Sequence, residues 1–325
     1  MELPDAALAA HVVEGLAQVE DGMREAARVE HDLLAQTAAY GVGAGGKRFR
    51  ATLVLLAAQF GNPRDPRILP AAVAIELTHL ATLYHDDVMD EAAVRRGLPS
   101  ANARWDNSVA ILAGDFLFAR ASLVLADLGP DAVRIQAETF ARLVAGQIAE
   151  TIGPQPGEDP LKHYLGVITE KTASLIATSG RFGAMFSGAP ESVTAHITPA
   201  CEALGIAYQL CDDILDVASE SEQSGKTPGT DLREGVPTLP TVHALRSAGP
   251  GDARLVELLS RGELTDPALH AEALALLRAH PAMEMARSDT RRWAERARSE
   301  ILALPDVPAR AAFEALCAYV VERTG

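Results

Sequence analysis

An all-α fold is predicted for this chain: one domain over residues 1–325, with ten or more helices around a central cavity. Three observations predict it. Apolar residues recur at three- and four-residue steps through long stretches of the chain. No stretch carries a run of alternating β-branched residues bounded by turns. Two acidic clusters, far apart in sequence, each close a long apolar run, and a common task would require a shared cavity between helices.

The elements follow in order. Residues 5–40 read as a helix or broken helix, with Leu8, Val12, Leu16, Val19 and Met23 on one face. Gly41-Val-Gly-Ala-Gly-Gly46 ends it, as glycines near a helix end commonly do, although a glycine turn can also aim backbone N–H groups at an anion. Lys47 and Arg50 follow, three residues apart at the start of the apolar run from Ala51. Basic side chains in a first helical turn oppose the macrodipole, and bound anionic oxygen would offset that. Gly61-Asn-Pro-Arg-Asp-Pro66 is a loop.

The run from Ala71 to Tyr84 has no glycine or proline and leads into His85-Asp86-Asp87-Val-Met-Asp90. If the helix continues, Asp86 and Asp90 share a face with Cβ atoms about 6 Å apart. Like charges at that spacing destabilise a helix, and at its C-terminal end they also oppose the dipole. Arg95-Arg96-Gly97 then lets the chain fold back over the aspartates; arginine suits bidentate phosphate contacts, or the two simply pair with Asp90 and Glu91. Helical patterns continue over 107–128, 131–152 and 163–186, where Gly180, Gly183 and Gly188 suggest kinks or close packing. Lys171 lies in the last of these and reads, on its own, as a solvated lysine. Residues 194–217 end in the second cluster, Asp212-Asp213-Ile-Leu-Asp216. The polar stretch 219–235 is too long for a tight turn, sits beside that cluster and carries Lys226, so it reads as a lid whose lysine can reach a phosphate. From Thr238 onward helices alternate with Gly/Pro breaks and show no chemical constellation.

Two copies of Asp-Asp-x-x-Asp would repel strongly without hard cations between them. Carboxylates, water and phosphate oxygens are the ligands Mg²⁺ prefers. The clusters therefore predict a Mg²⁺-diphosphate site, the alternative being two unrelated acidic turns.

Composition narrows the class. With 48% hydrophobic and 22% charged residues the chain is an ordinary globular protein rather than a disordered one. A net charge of −15 argues against nucleic acid as a partner. Cys201, Cys211 and Cys317 are too scattered for a disulfide framework or a zinc site, which fits a reducing cytoplasm. The N-terminal residues show no basic-then-apolar signal pattern, and no uninterrupted apolar stretch of membrane-spanning length is expected.

The motifs, in their order, resemble the trans-isoprenyl diphosphate synthases (polyprenyl synthetases), over about residues 45–240. Gly45-Gly-Lys47-Arg-Phe-Arg50 is similar to that family's Gly-Gly-Lys-x-x-Arg. Asp86-Asp87-Val-Met-Asp90 with Arg95-Arg96-Gly97 resembles its first aspartate motif, and Glu170-Lys171-Thr172 its mid-chain lysine site. Gln209 with Asp212-Asp213-Ile-Leu-Asp216 resembles the second aspartate motif, and Gly225-Lys226-Thr-Pro-Gly229-Thr-Asp231 the basic segment after it. The resemblance implies the all-helical isoprenoid synthase fold, a homodimer and prenyl transfer. It implies that Lys47, Arg50, His79 and Arg96 bind the diphosphate of isopentenyl diphosphate. Arg95, Lys171, Thr172, Gln209 and Lys226 would contact the allylic substrate, farnesyl or geranylgeranyl diphosphate. Asp86, Asp90, Asp212 and Asp216 would hold Mg²⁺, with Asp86, Asp90, Lys171 and Asp212 the catalytic set. Two positions depart from the family: Val236 and Ala51 stand where Lys and Pro are common.

The implied chemistry ionises an allylic C–O bond, and no Ser-His-Asp constellation argues for a protein nucleophile instead. Small residues, Ala71, Ala74, Thr78, Ala81 and Thr82, line the helix leading to Asp86, a wall about 22 Å long. A bulky aromatic four or five residues before Asp86 is what stops the family's products at farnesyl length. Its absence implies a long-chain product, heptaprenyl to decaprenyl, suited to a quinone side chain. A large residue from another helix would instead close the channel at geranylgeranyl length, and the alanines also suit plain helix packing. A terpene cyclase and a non-catalytic subunit of a heteromeric synthase are the rival functions; the intact second motif argues against both.

Overall fold

The structure, a computed structural model, describes residues 4–219 and 228–323. Lys226, given to a substrate-contacting loop above, lies outside them. The described residues are helical almost throughout, as the periodicity predicted. The first helices are α1 (Ala6–Ala26), α2 (Asp32–Gly43), α3 (Phe49–Ala57) and α4 (Ile68–Met89). A two-strand hairpin follows, β1 (Val94–Arg95) antiparallel to β2 (Leu98–Pro99), which the sequence did not disclose. Then come α5 (Ala101–Arg104), α6 (Asn107–Ala126), α7 (Pro130–Ile152), α8 (Pro160–Ile168), α9 (Ser174–Phe186) and α10 (Glu191–Ala218). The remainder is α11 (Thr230–Glu234), α12 (Leu239–Ser247), α13 (Ala253–Leu259), α14 (Pro267–Ala279), α15 (Ala282–Leu302) and α16 (Pro308–Glu322).

Local chemistry sets many of these starts. The Asp5 carboxylate accepts the Leu8 N–H at 2.7 Å and Asp106 accepts from Val109 at 2.8 Å. Asp159 and Asp266 cap α8 and α14, each followed by a proline, which has no N–H to leave unsatisfied at that position. Such caps contribute about 1 kcal/mol each.

The stretch read as one helix over 163–186 is α8 and α9 joined by a π-helical turn, Thr169–Ala173. The irregularity falls at that turn and not at the glycines. Gly183 lies inside α9, where the Val54 backbone comes so close that a Cβ would collide with it; Gly188 follows the helix with φ of 69°.

The residues divide into two compact units. The first comprises the chain up to Ala141, with Leu175–Thr198 and Leu302–Phe313. Its centre is α4, packed against α1, α3 and α6. Leu77 of α4 is fully buried, and burial of one such side chain contributes about 2 kcal/mol. α6 is long and apolar enough to cross a membrane by length and composition, although Asp115 and Arg120 interrupt its apolar run, in line with the sequence expectation; here it packs along α4, with Ile111, Leu112 and Leu123 left exposed.

The second unit comprises Arg142–Ser174, Pro199–Ile301 and the chain from Glu314. Ile206, Leu210, Ile214 and Val217 of α10 recur at three- and four-residue steps and are buried among Leu239, Met283 and their neighbours. That burial fixes the rotation of α10 and leaves Gln209, Asp212 and Asp216 at the edge of the core.

Candidate active site

The first unit brings together one acidic motif and a set of cations. His79, Asp86 and Asp90 lie seven and four residues apart on α4, a spacing that keeps them on one stripe. Asp86 is in the helix and half-buried; Asp90 is its C-terminal cap and exposed. Asp87 points the other way. It is 3% exposed, and its Oδ1 accepts the Arg95 Nε–H at 2.6 Å. Burial pushes its carboxyl above the usual range, with Arg95 acting in the opposite direction. On the far side of α4, Tyr84 donates to the Thr37 carbonyl at 2.5 Å. Gly114 of α6 admits the ring of His85 and the carbonyl of Ala81, where a Cβ would collide.

The hairpin turns through Arg96 and Gly97 with φ of 54° and 77°. Both residues of a two-residue type I′ loop need positive φ, which is strained for an arginine and easy for glycine. The turn folds Arg96 back so that its guanidinium donates to the Gly45 carbonyl and lies against Gly46. The glycine loop before Lys47 is therefore a seat for Arg96.

Lys47 itself is exposed in that loop, because α3 begins only at Phe49. Of the two basic residues expected in one helical turn, only Arg50 stands in the first turn of α3. Between them Arg48 takes a left-handed φ of 45° and is buried. It donates to Glu20 at 2.5 Å and to the Val42 carbonyl at 3.2 Å, and stands 3.6 Å from Glu76. Glu76 also accepts the Ala51 N–H at 2.9 Å, which anchors the start of α3. His79 is held well below its ordinary pKa by burial first and then by Arg50, Arg96, Arg48 and Arg95. Of these four guanidinium groups, Arg48 is paired with Glu20 and Glu76 and Arg95 with Asp87.

The second unit has its own set. Lys171 and Thr172 stand in the π turn, a feature frequent at functional sites. The Lys171 ammonium donates to Glu150, and Thr172 Oγ1 lies 3.5 Å from Gln209 Oε1. Gln209 donates to Asp213 Oδ1 at 3.0 Å. Asp213 is 4% exposed; its Oδ2 accepts from the Tyr164 phenol and from the Leu239 N–H at 3.0 Å. Burial pushes its carboxyl up to about 6, against the lowering effect of those donors. Asp212 is half-buried, with Arg323 of the C-terminal segment 3.3 Å from Oδ1. Asp216 accepts the Thr230 and Asp231 N–H groups at 3.1 and 3.2 Å, and so caps the start of α11.

The two motifs share a design. In each, the middle aspartate is turned into the core and hydrogen-bonded, leaving the first and third at the surface of their helix. Among the described residues, no three His, Cys, Asp or Glu side chains close around a point as a protein metal cage would. One or two carboxylates per ion, completed by water and phosphate oxygens, is the donor set that suits Mg²⁺. Asp86 with Asp90, and Asp212 with Asp216, fit that description by oxygen chemistry and by helical spacing.

The small residues before Asp86 are where they were expected: Ala71, Ala74, Thr78 and Ala81 are buried, and Thr82 is half-buried. Ala74 and Thr78 line a narrow internal crevice together with Leu125, Gln136, Thr139 and Phe182. Gln136 donates to Thr78 Oγ1 at 3.1 Å, and the Thr139 and Thr178 hydroxyls are 2.7 Å apart. Large side chains from other helices thus do face the wall of small ones.

Sequence reasoning missed Arg48, Arg142, Tyr164 and Arg323. Arg48 carries a signal, since it sits inside the basic motif. The partners of the other three lie 28 to 111 residues away and leave no local pattern.

Comparison with known proteins identifies the family. Residues 31–277 match the model of the polyprenyl synthetase family. The chain is 50% identical over 326 residues to a nonaprenyl diphosphate synthase of Mycobacterium tuberculosis, covering 100% of this chain and 97% of that one. It is similar, at a TM-score of 0.90 and 43% identity over 100% of both chains, to a geranylgeranyl pyrophosphate synthase from Corynebacterium glutamicum solved with calcium and isoprenyl diphosphate. A decaprenyl diphosphate synthase from Rhodobacter capsulatus matches at a TM-score of 0.88 and 35% identity, over 98% of this chain and 99% of that one. The ordered motifs, the helical fold and these matches have one explanation: the chain belongs to the polyprenyl synthetase family.

Proposed function

We propose that this protein is a Mg²⁺-dependent trans-prenyltransferase that condenses isopentenyl diphosphate with an allylic diphosphate to build a long-chain polyprenyl diphosphate. The observation that carries it is that, within the first unit, His79, Asp86 and Asp90 share one stripe of α4 and its cap, while the Arg95–Arg96 hairpin folds back to pair with Asp87 and the Gly45 carbonyl. Family membership and the nonaprenyl and decaprenyl synthase relatives support the same reading.

Lys47, Arg50 and Arg96 would bind the isopentenyl diphosphate by charge, and His79 by hydrogen bonding through an uncharged ring. Arg95, Lys171, Thr172 and Gln209, with Lys226, would hold the allylic diphosphate. Asp86, Asp90, Asp212 and Asp216 would hold Mg²⁺, which when bound supplies charge stabilisation to the departing diphosphate. The cationic side chains stabilise that same charge where it develops. The side chains orient the isopentenyl double bond toward the allylic carbon, and the proton lost after bond formation goes to the released diphosphate. We read the two units as parts of one all-α catalytic domain, because the chain passes between them repeatedly along its length.

A second reading has a specific observation behind it. Gln136, Leu125 and Phe182 stand against the wall of small residues. If they hold that position during elongation, the product is geranylgeranyl diphosphate, as the name of the Corynebacterium relative also suggests. A homodimer formed through the exposed apolar residues of α6 completes the proposal, with a cytoplasmic location in keeping with diphosphate substrates.

The test is a product assay with purified protein, Mg²⁺, isopentenyl diphosphate and farnesyl diphosphate, the dephosphorylated products being sized by chromatography. One long all-trans prenol supports the long-chain synthase, and a twenty-carbon prenol supports the second reading. A cyclic hydrocarbon, or no product until another polypeptide is added, overturns both in favour of a cyclase or a partner subunit.

A further inference from the structure

The π turn that carries Lys171 and Thr172 is gripped by a stripe of residues on α7 with no role so far. Arg142, Gly146 and Glu150 are four residues apart and so share one face of that helix. Each meets the turn differently. Arg142 Nε donates to Glu170 Oε2 at 2.7 Å and Nη2 to Glu170 Oε1 at 3.1 Å, a two-point contact. The same Nη2 donates to Glu202 of α10 at 2.8 Å. Gly146 stands where the Lys171 backbone N comes so close that a Cβ could not be accommodated without a shift. Glu150 receives the Lys171 ammonium.

Glu170 is the neighbour of Lys171, so fixing its carboxylate in two places fixes the direction in which the next two side chains leave the turn. Glu202 lies seven residues before Gln209 on α10, on the same helical face. One guanidinium thus ties α7, the π turn and α10 together at the point where Lys171, Thr172 and Gln209 are presented. The planar fork of arginine makes that geometry, and lysine, a point charge, does not reproduce it. The two carboxylates hold the Arg142 guanidinium proton above its ordinary pKa, Glu170 contributing most. A π turn gives up regular α-helical hydrogen bonding, so an external clamp has a physical purpose there.

We infer that Arg142 is a positioning residue: by clamping Glu170 and Glu202 it sets the π turn so that Lys171 and Thr172 meet the allylic diphosphate. The inference rests on the proposed role of Lys171 as a substrate contact.

The test compares Arg142→Gln and Arg142→Lys with the wild type, reading the KM of each substrate separately and the binding of farnesyl diphosphate with Mg²⁺ by calorimetry. The expected result is a rise of about tenfold in allylic KM and Kd in both variants, with the isopentenyl KM unchanged; a difference confined to one substrate is binding lost at that substrate's contacts. The same change is then made in a Lys171→Ala background, where the effect of Arg142→Gln should largely vanish, as coupled residues require. Equal losses for both substrates, or an undiminished effect in the Lys171→Ala background, would overturn the inference. If the wild type binds farnesyl diphosphate but extends nothing, the functional proposal fails, and the calorimetric comparison still decides the role of Arg142. If the wild type binds no allylic diphosphate, both fail.

Discussion

Tyr164 donates its phenol proton to Asp213, the middle aspartate of the second motif, across 49 residues of sequence. Both groups are buried, and burial pushes the Tyr164 pKa well above its ordinary value while Asp213 rises to about 6. A contact so enclosed belongs to the scaffold of the site. Tyr164→Phe removes one of three donors from a buried carboxylate and should cost about 1–3 kcal/mol of stability. The Mg²⁺ concentration for half-maximal rate should stay at the wild-type value, whereas Asp212→Asn should raise it. Thermal unfolding and a Mg²⁺ titration of rate check the pair; a Mg²⁺ requirement altered in Tyr164→Phe would place Asp213 among the metal ligands.

Asp86 occupies the corresponding outer position of the first motif. Asp86→Ala should lower turnover at saturating Mg²⁺ by at least about a hundredfold, since a metal's stabilisation of departing charge is worth several kcal/mol. Steady-state rates with farnesyl and isopentenyl diphosphates measure it. Turnover near the wild-type value would remove Asp86 from the site.

The helices were legible because burial imposes periodicity: the small and apolar residues of α4 mark its inner face whatever the partner helix is. The acidic motifs were legible because six carboxylates in two local patterns are improbable without a counter-ion. What stayed hidden depends on distant partners. Nothing near Tyr164 or Asp213 announces their contact, and nothing near Glu170 announces Arg142. The inward turn of Asp87 and Asp213 was equally invisible, since the letters Asp-Asp-x-x-Asp treat all three aspartates alike. The hairpin escaped because two-residue strands carry no alternation to detect.

His79 gives the site a pH dependence of stability. Its folded-state pKa lies well below the ordinary 6.5, chiefly through burial and then through the surrounding arginines. The folded chain therefore binds a proton at this ring less readily than the unfolded chain. The stability His79 permits is complete above the unfolded value and is lost as pH falls below it. His79→Gln, which cannot take up the charge, should lose less stability on acidification from about pH 7.5 to about pH 5.5 than the wild type does. Urea midpoints at the two pH values make the comparison. Equal losses would mean that the ring is not held neutral.

Ala81 is fully buried five residues before Asp86, on the face of α4 that continues through Thr78 and Ala74 to the crevice holding Gln136 and Phe182. A phenylalanine there adds a ring about 8 Å along the helix from Asp86, well before a tail could reach Thr78. Ala81→Phe should shorten the product to about three or four isoprene units; overpacking a filled core also costs about 1–3 kcal/mol. Chromatography of the dephosphorylated products separates the two effects, because lost stability lowers yield and a blocked channel changes length. Products of unchanged length at reduced yield would mean that the tail runs elsewhere, and that the small residues of α4 serve helix packing alone.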